Sequence, residues 1–225
     1  KKTGLVGMQI LRYDEVSSTM DCDIPEYPEL IVVAKSQTKG RGQRGSSWIT
    51  PTNSLVFTYF ANLEISNTAN VSIRVGCELA RTLLSLYPQA PITIKWPNDL
   101  LVDSKKFCGI LVETKKNSAS TVRVAVGIGV NFSAPSLAPS SGSVSPGAID
   151  NVPESEIFEA ARRGVFANLD YLFVNQHLAW KNAPVIVNCD YQANLLCISP
   201  EGHLIVQTQS ATQTLVTANV RPLSN

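Results

Sequence analysis

The sequence predicts an α+β protein in which a sheet, covered on one face by helices, is followed by a compact β module. Three observations predict it. Val71, Val75, Leu79, Leu83 and Leu86 recur at helical spacing, so one amphipathic helix should occupy residues 70–87. Apolar, β-branched runs lie on both sides of it, at residues 30–34 and 54–60 before and 92–132 after. Beyond Trp180 the pattern changes to short alternating strands at 185–189, 195–199, 203–208 and 214–218.

Each element follows from local chemistry. Residues 30–34 form a strand, the Gly/Arg-rich stretch 36–48 an exposed loop, and residues 54–60 the returning strand. Pro88 and Pro91 end the first helix. Residues 92–113 give a strand, a turn carrying Pro97, Asn98 and Asp99, a short strand, a polar tip at 103–106 and a strand from Phe107. Another strand covers 121–132, interrupted by Gly127 and Gly129. Between 133 and 147 Ser, Pro, Ala and Gly predict a mobile loop. A second helix, begun near residues 153–156, should run from Ile157 to about Val174 with Ile157, Ala161, Leu169 and Leu172 buried. The turn Pro200-Glu201-Gly202 joins two strands of the β module. A boundary near residue 177 divides the chain into residues 1–176 and 177–225, without an internal repeat.

Nineteen basic and eighteen acidic residues leave a net charge of +1, so the global charge calls for neither nucleic acid nor a membrane surface. No apolar run reaches the roughly 18 residues of a membrane span, and a soluble protein is expected. The N-terminus has no secretory pattern. Five cysteines without a CxxC pair argue against a disulfide framework or a zinc site and favour a reduced, cytoplasmic setting. His177 and His203 lie in polar or turn-like contexts, which makes a histidine-based triad unattractive.

Several segments carry chemistry. QTKGRGQRGSSW, residues 37–48, sets Lys39, Arg41 and Arg44 among three glycines, which suits an anion-binding loop; a merely solvated basic loop is the alternative. It lacks the GKS or GKT ending of a Walker loop. KWPNDL, residues 95–100, offers Asn98 for a nucleotide or carbonyl and Asp99 as an oxygen ligand for Mg2+, against a structural turn. Lys106 precedes the apolar FCGILVE, and a hairpin through Ser104 would return it toward Asn98. Ser18 and Thr19 in EVSSTM can hydrogen-bond a small polar ring, or cap a helix. Gly127 and Gly129 remove side chains where a ligand or backbone could approach.

Together, EVSSTM, QTKGRGQRG followed by W and TP, KWPNDLLV, KFCGILVE and VGIGVNF resemble, in the same order, the biotin protein ligases of the holocarboxylase synthetase family. The resemblance implies a class II synthetase-like mixed sheet with helices on one face, followed by a small SH3-like barrel. It implies that Ser18, Thr19 and Gln37 contact biotin, that Gly127 and Gly129 pack beside it, and that Lys106 holds the biotin carboxylate or its phosphoanhydride. Arg41, Gly42 and Gln43 would line the adenylate loop, with Arg41 neutralising phosphate charge beside Mg2+. Asn98 and Asn131 would serve the nucleotide, Asp99 the metal, and Lys95 and Trp96 the scaffold.

The implied activity uses MgATP to make biotinyl-adenylate and biotinylates a lysine of a biotin carboxyl carrier domain of a carboxylase. A homodimer is compatible with it. The family's regulators carry an N-terminal helix-turn-helix for which residues 1–14 are too short, so DNA binding is not expected. Gln43 stands where bacterial relatives often have arginine, Ser46 brings no charge, and Met20 replaces a frequent asparagine, as in the eukaryotic branch. The rival readings are a lipoate or octanoyl protein ligase and a non-catalytic biotin- or adenylate-binding module.

Overall fold

The computed structural model describes residues 8–22, 27–51, 53–117, 120–133, 147–149 and 152–223. The first sheet contains β1 (Gln9–Val16), β2 (Glu29–Gln37), β3 (Ser54–Glu64), β4 (Ile92–Lys95), β5 (Asp99–Val102), β6 (Lys105–Asn117) and β7 (Thr121–Asn131). Their order is β1-β2-β3-β7-β6-β5-β4. β1 runs parallel to β2 and every other neighbouring pair is antiparallel, which makes the sheet mixed.

Period-two alternation gives the sheet two different faces. Phe57, Tyr59, Val124, Val126, Ile128, Cys108 and Ile110 turn to the helix side, where they join the main core. That core is closed by α1 (Val71–Leu86) and α2 (Glu154–Phe166), so the helices cover one face, as the sequence predicts. Phe57 and Phe158 meet edge to face with centroids 4.8 Å apart. The helices approach closely at Gly164, where a Cβ would lie 2.4 Å from the Val75 Cα. The other sheet face carries only a small cluster, Met20, Leu30, Val32, Phe60 and Ala125, and continues along β6 and β7 into glycines.

The expected second helix is two helices. α2 stops at Phe166, and α3 (Tyr171–Gln176) restarts after Asp170, whose carboxylate accepts a hydrogen bond from the Phe173 N–H at 3.0 Å. Capping by Asp170 and its pair with Arg81 at 2.7 Å outweigh continuation of the apolar stripe, and Leu172, expected in the core, is exposed. Leu86 is likewise exposed at the end of α1. β1 escapes the alternation test because Arg12, Asp14 and Glu15 crowd an edge strand that is buried on neither face. Most of the predicted mobile loop, residues 134–146, lies outside the described residues.

The C-terminal module is an antiparallel sheet of β8 (Pro184–Val187), β9 (Tyr191–Ile198), β10 (Leu204–Gln207), β11 (Thr212–Leu215) and β12 (Val220–Pro222), in the order β11-β10-β9-β8-β12. It is hydrogen-bonded to the first unit. Ile94 accepts from Ala179 N at 2.9 Å, and the buried Trp96 Nε1 donates to Gly202 O at 2.9 Å. Asn70 Nδ2 donates to the neighbouring Glu201 O. Among the described residues no helix is long and apolar enough to cross a membrane.

Candidate active site

On the face without helices, Gly109 of β6 and Gly129 of β7 stand opposite each other in register, and Gly127 lies two residues along. This bare strip is the floor of a cavity of about 330 Å³. Its glycines are covered by particular side chains. A Cβ on Gly129 would lie 2.2 Å from the Trp48 ring, one on Gly109 2.8 Å from it, and one on Gly127 2.8 Å from Met20 Sδ. The indole of Trp48 therefore rests on the Gly109–Gly129 pair, and its Nε1 is buried with no hydrogen-bond partner among the described residues.

A neutral polar chain is built beside Gly127. Thr58, which pairs with Gly127 across the β3–β7 ladder, donates from Oγ1 to Thr19 Oγ1 at 2.8 Å. Gln37 Oε1 in turn accepts from Thr19 N at 2.8 Å and from Thr19 Oγ1 at 3.2 Å. Ser18 and Thr19 are buried, and Ser18 Oγ accepts from Met20 N at 3.3 Å. The SST segment is thus no helix cap: it is the turn that follows β1. Thr58 was not predicted, although a lone hydroxyl in the apolar run LVFTYF was a signal.

A charged cluster stands at the Gly109 end. The β5–β6 turn at Asp103 and Ser104, both left-handed with φ of 48° and 60°, folds β6 back so that Lys106 reaches Asp99. Lys106 Nζ lies 2.7 Å from Asp99 Oδ1, and Lys95 Nζ lies 2.7 Å from Oδ2. Burial pushes the Asp99 carboxyl up, but the two lysines outweigh it and hold its pKa below the ordinary aspartate value. Both carboxylate oxygens face ammonium groups, so the expected Mg2+ ligand is already neutralised. Among the described residues no three His, Cys, Asp or Glu side chains gather as a metal site. Lys106 Nζ also lies 5.4 Å from the Trp48 ring centroid.

The remaining expected residues divide. Asn98 lines the cavity, but its Nδ2 donates to Ile110 O at 2.9 Å, and its backbone oxygen accepts from Ile110 N at 2.9 Å. Arg41, Gly42, Gln43 and Arg44 form the cavity's loop wall, with Arg44 at φ 54° and Gly45 at φ 77° making the tip. The Arg41 guanidinium is not free: it pairs with both Asp21 and Glu113. Asn131 lies outside the cavity lining; it is buried on β7 with Nδ2 3.4 Å from Gly147 O and Oδ1 unpartnered among the described residues. Ala218, Asn219 and Val220 of the C-terminal module complete the wall, which sequence reasoning missed because no local pattern marks them.

Residues 17–131 match the model of the biotin/lipoate A/B protein ligase family. The chain is 37% identical over 120 residues to the biotin--[acetyl-CoA-carboxylase] ligase of Paracoccus denitrificans, covering 52% of this chain and 49% of that protein. It is 33% identical over 103 residues to the bifunctional ligase/repressor BirA of Escherichia coli, covering 44% and 32%. The match thus spans half or less of these relatives' lengths. Solved structures share the fold over more than nine-tenths of the chain. The biotin protein ligase of Aquifex aeolicus in complex with biotin and ATP superposes with a TM-score of 0.74 at 18% identity, covering 95% of this chain and 97% of that one. The Leishmania major enzyme with biotinyl-5-AMP gives 0.56 at 20% identity, covering 92% and 98%. With five motifs gathered around one cavity and the family model matched across them, the chain belongs to the biotin/lipoate A/B protein ligase family.

Proposed function

We propose that this chain is a biotin protein ligase, which activates biotin with MgATP as biotinyl-5'-AMP and transfers the biotinyl group to a lysine of a carboxylase's biotin carboxyl carrier domain. One observation carries the reading. The neutral chain Thr58–Thr19–Gln37 and the lysine pair at Asp99 lie at opposite ends of one glycine floor, along which Gly127 and Gly129 stand two strand residues, or about 7 Å, apart. A ligand that fits has a ring with its own N–H and C=O groups at one end and a carboxylate at the other. Biotin has both. Lipoate, which the family name also covers, has a dithiolane with no such donors or acceptors, so it would not supply the ring hydrogen bonds that the hydroxyls and amide of this chain can make with biotin.

The residues divide the chemistry accordingly. Ser18, Thr19 and Gln37 hold the ring, and Gly127 and Gly129 let it and the side chains above it approach the sheet. The biotin carboxylate is ionised near neutral pH and needs no general base: its oxygen bonds to the α-phosphorus while pyrophosphate leaves. Two ammonium groups against one carboxylate leave a net positive charge at Lys106, which suits first the carboxylate and then the mixed anhydride. In the second step a neutral lysine amine bonds to the acyl carbon, AMP leaves and the amine's proton goes to solvent.

Gly42 and Gln43 lie over the intermediate, Asn98 fixes the turn beside it, and the unpartnered Asn131 Oδ1 is an acceptor for an amine such as that of adenine. Mg2+ enters as part of the nucleotide substrate, and no step is assigned to a protein-held metal. We place the junction of the two units near residue 177, between residues 1–176 and 177–225, and the protein in the cytoplasm.

Intact mass of a carrier domain, after incubation with the protein and MgATP, tests the reading. Biotin should add one biotinyl group and lipoate nothing. A lipoyl adduct, or an unchanged carrier with biotin, would overturn it.

A further inference from the structure

The loop that walls the cavity is a short hairpin closed by the Arg41–Ser47 bridge, with Trp48 N donating to Gly40 O at 2.9 Å and Gly42 N to Ser46 O at 2.7 Å. A third attachment ties it down from outside. Arg41 Nε and one terminal nitrogen each donate to a different Glu113 oxygen at 3.1 Å, and the guanidinium also pairs with both oxygens of Asp21, one of them at 2.8 Å. Glu113 stands on β6, two residues beyond Leu111 on the same face as the Gly109 floor. Asp21 follows Met20, the residue that covers Gly127. The three groups therefore join the loop, the turn after β1 and the sheet around the ring end of the cavity. Lys115 touches both carboxylates, at 2.9 and 3.6 Å, without belonging to the loop.

We infer that Asp21 and Glu113 are positioning residues that latch Arg41, and with it the base of the loop, over the ring end of the cavity, so that their ion cluster sets how fast the bound carboxylic acid leaves. The inference rests on the proposed biotin reading only for the identity of that ligand. Arg41 is bidentate to two fixed carboxylates, which is the arrangement that holds a guanidinium in one orientation. Opening the loop far enough for a ring to pass Trp48 requires breaking it. The same pairing assigns Arg41 a task other than neutralising phosphate, and leaves that to Lys106.

The test has two arms, on wild type, Asp21→Asn, Glu113→Gln, the charge-keeping Asp21→Glu, and Lys115→Met. The first is amide hydrogen exchange of the ligand-free proteins. Exchange at Lys39, Gly42 and Trp48 should accelerate several-fold in the two neutral variants and stay near wild type in Asp21→Glu and Lys115→Met; unchanged exchange overturns the latch. The second is release of labelled biotin into excess unlabelled biotin. Release should quicken by about three- to tenfold in Asp21→Asn and Glu113→Gln, as loss of a half-exposed bidentate pair implies. The association rate should stay within about twofold. Faster exchange with unaltered release overturns the latch's control of the ligand, as does an equal gain in Lys115→Met. A wild-type protein that takes up lipoate but not biotin overturns the functional reading, while the first arm still reports whether the loop is tethered.

Discussion

Lys106 illustrates how much one position depends on partners that are distant in sequence. Its replacement by alanine removes the positive group proposed to meet the carboxylate and then the anhydride, yet leaves Asp99 paired with Lys95. Both half-reactions should slow by on the order of ten- to a hundredfold, for about 1.5–3 kcal/mol of lost charge-assisted bonding, and thermal stability should fall as well because buried Asp99 keeps only one of its two lysines. Single-turnover assays of adenylation and transfer check this. Asp99 behaves differently because it is buried. Its folded pKa is depressed, so its ionised form stabilises the fold above the ordinary aspartate range, and that stability is lost as pH falls through the lower folded value. Asp99→Asn should therefore lower the melting temperature at neutral pH, and the gap should close below about pH 4. The sequence pointed to Ser18, Thr19, Gln37 and Lys106 through their motifs. Thr58 was not singled out, Lys95 was read as scaffold and Trp48 only as part of its motif, because the contacts of each with the cavity run across strands or the loop. Asp99 was read as a metal ligand for the same reason, since its two lysine partners meet it only once β5 and β6 have paired.

At the scale of elements, the 39–48 loop contrasts a fixed base with a strained tip. Arg41 is held by two carboxylates, whereas Arg44 sits at positive φ with one long contact of 3.4 Å to Thr217. Limited trypsin digestion of the ligand-free protein should cut after Arg44 well before Arg41, and biotin with ATP should suppress the cut as the loop closes over the anhydride. Equal cutting with and without ligands would refute that closure. Strands and α1 were legible because burial on one or both faces writes a period of 2.0 or 3.6 into the sequence. The break between α2 and α3 was not: α2 ends at Phe166 and Asp170 caps the next helix without interrupting the apolar spacing that links Ile157 to Val174. Gln43→Arg tests the tip as a whole. A guanidinium there should slow leakage of the adenylate by about ten- to a hundredfold if it reaches the phosphate, as a charge-assisted bond implies. An unchanged release rate in a preloaded-enzyme chase would mean that residue 43 faces away from the intermediate.

For the whole molecule, the cavity belongs to both units. Trp96 carries the turn that presents Asn98 and Asp99, and the one polar atom of its side chain is bonded to Gly202 O in the C-terminal module. Trp96→Phe leaves that carbonyl without its donor and should lower stability by about 1–3 kcal/mol, with a parallel loss of adenylation, as denaturant titration and turnover would register. Nothing in the sequence around Pro200 to Gly202 announces this contact; the composition there is that of any hairpin turn. The order of five motifs, by contrast, was readable along the chain, because each lies at a strand end or loop that the single mixed sheet brings to the same glycine floor. The claim that this floor holds biotin, with its ring at Thr19 and its carboxylate at Lys106, is tested most directly by ATP–pyrophosphate exchange with biotin or lipoate as the acid. Exchange that requires biotin, is not supported by lipoate and falls at least tenfold in Lys106→Ala is the predicted result; exchange supported by lipoate, or independent of any added acid, would contradict it.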